Sequence, residues 1–547
     1  MLTPKELILR PKPVPLSEFD LTQTNPSRII ACLNPPAEAV EAGHAIAIPD
    51  STFDVRQIIK QLSTEFQPDL VSLSARVMSF RPRGLYTLNC PTVMKLGDTF
   101  HLGDGGLSQM IRYCQQLDCD YHWTYQSAQH LHFFAEARLK NAFWLPASIV
   151  LDLYVPQAFE KSYDVIFRGS KSQLHCYRNQ ILDKLCRSKI NIDIQTKDYI
   201  NSLQDYVKAH IVVNTSLNGD LNRRVFEVLM AGGFLLTDRI RSQTGLFELF
   251  EEGIHFECYG NEAELLEKIQ FYLAHPEQAA QIAVAGHQQF TDLYSPQSIQ
   301  QKLYHYIFNN EIEAPFRREH DQRSQTQLKL KTRIKLYELI QELHRLYSTL
   351  SILCYQIQSE IVADLVDLPR SDLTHIVKPD NIAQIKTAYT QAGIQDQIAL
   401  RCDLPTDSSF QLILLDGAQS VDSLQRQIEA TVPYLSQFGF LIIVQPRLNT
   451  IQRLNQYLEN HHCFPIQLSV NLFEQTYFLE LGKHGLIYQK TMPEGYTETV
   501  DRVANLAINR ISSKELIQQH LKNLSIVRAS INFLRPIRSL LRRYTRP

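Results

Sequence analysis

Apolar and polar positions alternate with two different periods along residues 1–312, and the pattern predicts parallel sheets flanked by helices. Short apolar runs such as Arg28–Leu33, Asp164–Phe167 and Ala209–Asn214 predict buried strands. Helical spacing follows in stretches such as Arg223–Ala231, which ends at a pair of glycines. Strands that alternate with helices at this spacing indicate two open α/β segments.

A third α/β pattern begins near residue 350, after a charged stretch. Residues 313–349 have Leu, Ile and Tyr at helical spacing, which predicts a helical linker whose charge run forms a solvated face. The strands predicted beyond it are Ser351–Tyr355, Leu373–Lys378, Gln411–Asp416, Phe440–Gln445 and Thr476–Leu481.

The predicted fold class is therefore α/β, with three Rossmann-like parts, a helical linker and a helical C-terminal tail. The predicted segments are 1–155 and 156–312 (two Rossmann-like halves), 313–349 (linker), 350–490 (third domain) and 491–547 (basic tail).

Composition excludes several classes. The 547 residues include 55 Lys plus Arg and 57 Asp plus Glu, so the net charge of -2 gives no argument for nucleic acid. The ten cysteines are scattered, without the spacing of a zinc site or a disulfide framework. The N-terminus has charges where a signal peptide needs an apolar core, and no run approaches the roughly 18 apolar residues of a membrane span. These features predict a cytoplasmic protein.

The strongest chemical signal lies between Asn214 and Asp238. A polar loop follows a strand, and the next helix opens with Arg223 and Arg224. Free N–H groups at a helix N-terminus bind phosphate, and arginines add bidentate contacts. Glu227, one turn into the helix, is placed to accept hydrogen bonds from a ribose diol. The alternative is an ordinary strand-loop-helix unit with exposed arginines.

This stretch resembles the donor half of GT-B glycosyltransferases, specifically the CgeB-like branch of the group 1 enzymes. That pattern reads Asn, loop, Arg-x-Phe-Glu, four residues, Gly, strand, Thr-Asp, and the resemblance covers about 160–305. It implies a nucleotide-diphosphate-sugar donor of UDP or GDP type, with Glu227 on the ribose and Arg168, Gly169, Ser170 and Arg224 near the diphosphate. The implied donor-binding residues are Arg168, Gly169, Ser170, Asn214, Arg224, Glu227 and Gly232.

The resemblance also carries a departure and an absence. Many group 1 enzymes place a Glu on the donor sugar eight positions before the ribose ligand, and here that position is Gly219. No metal is expected, because GT-B enzymes commonly bind diphosphate with cations of the protein itself. The histidines at 122, 130 and 132 do not have the spacing of a known ligand set.

The first segment resembles the acceptor half of a GT-B enzyme. Asp98 and His101 come just after the apolar run Thr92–Leu96, where sheets of this kind present ligands. The two residues are therefore the catalytic candidates, with His101 as a base or acceptor ligand. The alternative is a capping Asp and a structural His.

The third domain resembles the class I methyltransferases at residues 410–420, with Gln419 where that family has a His. The family's glycine-rich loop is missing, because Leu353–Glu360 contains no glycine. The resemblance therefore implies a degenerate domain, and S-adenosylmethionine is not expected as a cofactor.

The C-terminal tail is basic and has apolar residues between its arginines. Residues 528–547 carry six arginines and no acids, which suits peripheral contact with an anionic membrane. The alternative is a flexible tail or a helix docked on the protein. The predicted function is transfer of a sugar to a hydroxyl of a glycan, lipid-linked or protein acceptor. The alternatives are a bifunctional glycosyltransferase and methyltransferase, or an inactive glycan-binding scaffold.

Overall fold

In the computed structural model the chain divides into two compact units, Met1–Ser324 and Gln325–Pro547. The catalytic candidates Asp98 and His101 and the arginine-rich segment 528–547 lie outside the described residues. Apart from isolated positions, the structure describes residues 3–23, 26–74, 79–97, 106–125, 127–146, 159–171, 176–313, 330–344, 349–447, 451–472, 475–479, 485–490 and 506–510.

The first half of unit one is built on a parallel sheet of seven strands. In spatial order these are Ala45–Ala47, Arg28–Cys32, Glu6–Arg10, Leu70–Ser74, Thr92–Leu96, Tyr121–Thr124 and Ala142–Trp144. The order reverses direction beside the Glu6–Arg10 strand, as in Rossmann folds. A two-stranded sheet pairs Thr52–Asp54 with Arg81–Arg83. The described helices are Ala37–Glu41, Val55–Ile59, Leu107–Leu117 and Leu131–Glu136.

The second half carries a parallel sheet of five strands. In spatial order these are Ile192–Gln195, Tyr163–Arg168, Ala209–Asn214, Leu235–Asp238 and Glu257–Tyr259. The order reverses between the second and third of them, and this is the topological switch point of the sheet. The α-helices are Cys176–Arg187, Tyr199–Lys208, Arg223–Ala231, Leu246–Leu249, Glu262–Ala274, Pro276–Leu293 and Pro296–Asn309.

The two halves of this unit pack directly against each other. From the last helix, the Tyr304 hydroxyl donates to Glu6 Oε2 at 3.3 Å across 298 positions of sequence. Gly245 of the second half lies so close to Trp144 of the first that an added Cβ would be 2.1 Å from its ring. Contacts between residues far apart in sequence therefore hold the two halves together as one unit.

Unit two contains a third sheet of nine strands. Its parallel part runs Ile398–Arg401, Ser371–Ile376, Leu350–Tyr355, Phe410–Asp416 and Leu435–Val444. Antiparallel strands continue it as Gly485–Lys490, Cys463–Leu472 and Gln475–Leu479, and Leu506–Arg510 also pairs with Cys463–Leu472. The described α-helices are Leu330–His344, Ser359–Leu365, Ile382–Gln391, Val421–Thr431 and Ile451–Glu459.

The Leu330–His344 helix corrects one expectation from the sequence. A solvated charged face was predicted for this stretch, yet among its described residues only Lys331 is exposed. Arg333, 2 % exposed, donates to both carboxylate oxygens of Asp364. The partner carboxylate comes from the next helix, so the charge is neutralised internally rather than by water.

The predicted α/β class is confirmed, with two Rossmann-like halves in unit one and a third Rossmann-like sheet in unit two. The helical character predicted for the tail 491–547 is wrong at Leu506–Arg510, which forms a strand because it pairs antiparallel with Cys463–Leu472. The Arg223–Ala231 helix has the predicted bounds. The Leu435–Val444 strand starts earlier than predicted, because its first residues join the sheet through an irregularity in register. No helix of the described part has the length and apolarity to cross a membrane.

Candidate functional site

The candidate site lies at the switch point of the five-stranded sheet. Gly169 and Ser170 follow one of the two diverging strands, and the loop 215–222 follows the other. That loop delivers the chain to the Arg223–Ala231 helix, whose N-terminus is capped by the Asn222 side chain. Open α/β sheets bind ligands at this position, outside the carboxyl ends of the strands.

Two carboxylates, Asp238 of the neighbouring strand and Asp220 of the loop itself, hold the loop before the helix in place. Asp238 accepts from the Ser216 backbone N–H at 2.8 Å and from the Ser216 hydroxyl at 2.5 Å. Asp220 accepts from the backbone N–H groups of Leu217 and Asn218, both at 3.2 Å. Gly219 sits in the same turn with φ of +73°. Glutamate would be strained at this position, so the departure from the group 1 pattern is built into the loop conformation.

Two guanidinium groups share the aromatic ring of Phe167 at the switch point. The Arg224 guanidinium carbon lies 4.4 Å from the ring centroid, and that of Arg178 lies 5.5 Å from it. Arg224 Nη1 also donates to Asn214 Oδ1 at 2.8 Å. Arg178 donates through Nε and Nη2 to the backbone oxygen of Thr215. The site therefore concentrates two positive charges beside a helix N-terminus.

The two cations have no ion-pair partner in the described part of the chain. No carboxylate there forms an ion pair with Arg178 or Arg224, although the nearby charges of Asp220 and Asp238 oppose the lowering of the Arg178 pKa. Arg224 Nε is buried and has no hydrogen-bond acceptor there. Burial and the nearby charge of Arg224 lower the pKa of Arg178 from 12.5 to about 9. Charges placed together in this way favour an anionic ligand.

Gly169 allows the strand end to approach Arg224. A Cβ at Gly169 would lie 2.2 Å from Arg224 Nη2, so any larger residue would displace the guanidinium. The backbone N–H of Gly169 donates to the Gln195 backbone oxygen at 2.9 Å, which fixes the strand end. Ser170, next along the chain, is exposed.

Arg168 points to a different set of partners. Its Nε donates to Asp205 at 2.5 Å, its Nη2 donates to Asp193 at 2.7 Å, and its Nη1 donates to the Asp193 backbone oxygen at 2.9 Å. Only 2 % of the residue is exposed. The structure thus places Arg168 in a structural ion-pair network rather than beside Arg224.

Glu227 lies one turn inside the helix, 6 % exposed, with its carboxylate beside two groups. The Tyr206 hydroxyl donates to Oε2 at 3.4 Å, and the Arg223 guanidinium forms an ion pair with Oε1. Burial raises the pKa of Tyr206 to about 12, so this hydroxyl keeps its proton near neutral pH. A carboxylate has about four acceptor positions, which leaves capacity for ligand hydroxyls.

The remaining predicted donor residues fall in two places. Asn214, buried, links the strands by donating to Thr237 Oγ1 at 2.9 Å and orients Arg224. Gly232 ends the helix with φ of +80°, at the end far from the site. Arg178 is absent from the donor-binding residues that the sequence predicts. Its only signal was a cation in the first turn after the Gly169 loop.

The histidines considered for a metal lie within the first half. His122 and His132 are buried, His122 Nδ1 contacts the Lys140 backbone oxygen at 2.8 Å, and His132 pairs with Glu136. Within the described ranges, no group of three or more His, Cys, Asp or Glu side chains is arranged to hold a metal ion. These contacts account for the two side chains as parts of the core.

Comparison with known proteins gives one family match. The family model described as glycosyl transferase-like matches residues 159–304, the segment that contains the whole five-stranded sheet. No curated protein sequence matches the chain. This segment of the chain is therefore similar to the glycosyl transferase-like family.

Several solved structures are distantly similar. HepE of Anabaena, solved with UDP, is 13% identical over 55% of this chain and 98% of its own, with a TM-score of 0.39. A glycosyltransferase of Rickettsia africae is 14% identical over 56% of this chain and 100% of its own, with a TM-score of 0.35. A SAM-dependent O-methyltransferase of Thermotoga maritima is 14% identical over 30% of this chain and 67% of its own, with a TM-score of 0.24.

Proposed function

We propose that unit one is a glycosyltransferase that moves a sugar from a nucleotide-diphosphate donor to an acceptor hydroxyl. The observation that carries the proposal is the pair of guanidinium groups, Arg178 and Arg224, stacked on Phe167 without an internal carboxylate partner. A diphosphate supplies the anion that this pair lacks. The glycosyl transferase-like match over residues 159–304 supports the same assignment.

In this proposal the two arginines act on the leaving group. Negative charge grows on the diphosphate as the bond to the sugar breaks, and fixed cations stabilise that charge without reorganisation. The N-terminus of the Arg223–Ala231 helix adds its dipole. Arg168 is not assigned to the diphosphate in this proposal, because Asp193 and Asp205 already bind its guanidinium.

Glu227 is proposed to bind the ribose. Its carboxylate lies on the same helix as Arg224, one turn further from the N-terminus. The two ends of a nucleoside diphosphate would thus be bound by one helix. UDP or GDP is the proposed nucleotide, and no cofactor takes part.

The finer assignments are part of the same proposal. We place the chain in the CgeB-like branch of the group 1 enzymes and assign the acceptor hydroxyl to a glycan, a lipid-linked sugar or a protein. The third domain is proposed to be a degenerate methyltransferase-like domain. The proposed location is the cytoplasm, with segment 528–547 against an anionic membrane surface.

The test is a thermal-shift and calorimetric titration of the full-length protein with UDP, GDP, ADP, CDP and S-adenosylmethionine. A ligand that binds only the folded state raises the melting temperature. We expect one nucleoside diphosphate to bind, and Glu227→Gln to weaken it about tenfold or more through loss of charged hydrogen bonds to ribose. Glu267→Gln, an exposed acid on the Glu262–Ala274 helix, is the matched control.

Two results would contradict the proposal. One is the absence of a shift with every nucleoside diphosphate at millimolar concentration, which would favour the inactive scaffold. The other is equal affinity of wild type and Glu227→Gln, which would remove the ribose from this helix. Binding of S-adenosylmethionine would instead support the bifunctional alternative.

A further inference from the structure

A second cationic position lies in the first half of unit one, at the carboxyl edge of the seven-stranded sheet. Lys95 is the last residue but one of the Thr92–Leu96 strand and pairs in register with Trp123 of the neighbouring strand. Its ammonium nitrogen lies 4.5 Å from the centroid of the Trp123 ring and 5.7 Å from that of Tyr125. Lys95, Trp123 and Tyr125 are called the lysine cage.

The cage is fixed by the surrounding chain. Trp123 Nε1 donates to the Leu145 backbone oxygen at 2.8 Å, which sets the plane of the indole. Gly97 leaves room for Tyr125, since a Cβ there would lie 1.8 Å from the tyrosine hydroxyl oxygen. Both aromatic rings are therefore held in place before any ligand arrives.

The ammonium of Lys95 has no counter-ion among the residues that the structure describes in this half. It forms no ion pair or hydrogen bond with any described residue, and it is only partly exposed. Glu6 is the carboxylate whose charge acts on Lys95. It already accepts hydrogen bonds from the hydroxyls of Ser72 and Tyr304 and pairs with Arg28. Lys95 is thus a cation whose hydrogen-bond donors are available.

The burial of Lys95 also affects the charge of its side chain. Burial lowers the pKa of Lys95 from 10.5 to about 8; the charge of Glu6 opposes this shift, and the charges of Arg10 and Arg28 add to it. Aromatic faces attract the charged ammonium rather than the neutral amine. With a pKa of about 8, Lys95 stays mostly charged near neutral pH, and an anion bound beside it offsets the cost of burying that charge.

The cage lies next to the contact between the two halves. Tyr125 is followed closely by Ala128, whose backbone N–H donates to the Thr244 backbone oxygen of the second half at 3.1 Å. Thr244 in turn comes shortly after the strand that ends at Asp238. The loop that carries Tyr125 beyond the Tyr121–Thr124 strand therefore contacts the loop that follows the Leu235–Asp238 strand. Open α/β sheets bind ligands beside loops of this kind, outside the carboxyl ends of their strands.

We propose that Lys95 binds an anionic group, a phosphate or a carboxylate, carried by the sugar acceptor. The word acceptor rests on the proposed function of unit one, whereas the anion site itself rests on the cage. Phosphate-bearing and carboxylate-bearing acceptors share this chemistry.

The test measures how fast Lys95 reacts in the full-length wild-type protein. Trace labelling with acetic anhydride at pH 8, quantified by mass spectrometry, reports the neutral fraction of each lysine. An anion bound to Lys95 holds its proton, so we expect labelling to slow about fivefold at an anion concentration about four times the dissociation constant. The probes are inorganic phosphate, glucuronate and glucose, and the exposed Lys60 is the internal reference.

Each outcome decides the proposal. Slowing by phosphate alone supports a phosphate-bearing acceptor, and slowing by glucuronate alone supports a carboxylate-bearing one. No slowing by either anion up to 50 mM (roughly ten times a weak, millimolar dissociation constant) overturns the proposal. Equal slowing at Lys60, or by glucose, overturns it too. No nucleotide is present, so failure of the donor proposal would be seen separately.

A variant tests whether the cage itself is responsible. In Gly97→Ala the new methyl group must displace Tyr125. We expect the apparent pKa of Lys95 to rise toward 10.5 and its protection by the anion to fall at least twofold. Undiminished protection in this variant would overturn the assignment to the cage. Gly260→Ala, at a position where the nearest atom is the end of a Glu264 side chain, is the control.

Discussion

The five-stranded sheet and the third sheet reverse their strand order in the same way, but the two switch points are built from opposite chemistry. At the first, Gly169 follows the strand, and two arginines stand on Phe167 without carboxylate partners. At the third sheet, the loops after Leu350–Tyr355 and Phe410–Asp416 contain neither Lys nor Arg through residues 356–360 and 417–420. The first switch point therefore presents two cations to an anion, whereas these loops of the third sheet present none.

The third switch point is also closed by its own hydrogen bonds. His375 Nε2 donates to the Ile357 backbone oxygen at 3.1 Å, and His375 Nδ1 accepts from the Tyr389 hydroxyl at 2.8 Å. Gln358 Nε2 donates to Asp416 Oδ2 at 3.4 Å. Both ring nitrogens of His375 and the side-chain nitrogen of Gln358 therefore already have partners, whereas Gln358 Oε1 has none in the described part of the chain.

The difference shows that topology provides a place for a ligand, while side chains decide whether one binds. The same lesson appears within the five-stranded sheet. Arg168 ends the strand and is saturated by Asp193 and Asp205, whereas Arg224 arrives from a later helix and is not.

Removing Arg168 should damage stability rather than ligand binding. Arg168→Met leaves the buried Asp205 and the partly exposed Asp193 with fewer partners, and breaking a buried pair costs about 3 to 5 kcal/mol. Lys197, 2.7 Å from Asp205, limits the loss to the lower end. Calorimetry of the full chain should show a lower melting temperature, with nucleotide affinity of the folded protein unchanged. Exposed Arg187→Met is the control, and an unchanged melting temperature for Arg168→Met would refute the structural role.

Acid should open the third switch point selectively. Burial lowers the pKa of His375 from 6.5 to about 4, so the charged form is disfavoured in the folded state. The unfolded chain takes up a proton at His375 below pH 6.5, whereas the folded protein does so only near pH 4. The free energy of unfolding is therefore undiminished above pH 6.5 and falls as the pH drops toward 4, by roughly 3 kcal/mol in all. His375→Gln keeps a donor and an acceptor without the titration, and its melting temperature should fall less between pH 6.5 and 4. Parallel curves for the two proteins would contradict this account.

Removing Arg224 should have the reverse profile of Arg168. Arg224→Met should weaken nucleoside diphosphate binding about 100-fold, or about 2.7 kcal/mol, because charge-assisted hydrogen bonds to phosphate are lost. The melting temperature without ligand should stay the same or rise, since a partly buried unpaired cation is removed. Isothermal titration measures the first and calorimetry the second. If Arg224→Met bound nucleoside diphosphate with wild-type affinity, the proposed diphosphate site would be wrong.

A single methyl group at the strand end should have an intermediate effect. In Gly169→Ala the Cβ would lie 2.2 Å from Arg224 Nη2, so the guanidinium must leave its position. We expect nucleotide affinity to fall about tenfold, the equivalent of one misplaced charged contact. The same Gly260→Ala control serves here, and comparable losses in both variants would point to general disturbance of the sheet.

The smallest effect is expected at Asp416. Burial raises its pKa above 3.8, so the charged form is disfavoured in the folded state and stability declines as the pH rises through that range. Asp416→Asn removes the charge, and Gln358 can turn its unpartnered Oε1 toward the new amide. The variant should melt slightly higher than wild type at pH 7 and equally at pH 3. A lower melting temperature at pH 7 would show that the charge is needed.

Local patterns were sufficient for much of this fold. The Arg223–Ala231 helix was predicted with its bounds, because Asn222 caps its start and Gly232 its end within the same short segment. Buried strands such as Ala209–Asn214 were likewise visible as apolar runs. Boundaries that depend on neighbours were missed, as in Leu435–Val444, where pairing with Phe410–Asp416 extends the strand.

By itself the sequence determined that a helix carrying Arg224 and Glu227 begins after a strand, since both signals are local. Only the tertiary structure decided which other arginine joins the site. Arg168 was expected there, but Asp193 and Asp205 come from 25 and 37 positions away to bind it, while Arg178 packs on Phe167 instead. The cage around Lys95 also depends on a neighbouring strand. Ion pairs and ring contacts form between distant segments, so spacing along one chain does not reveal them.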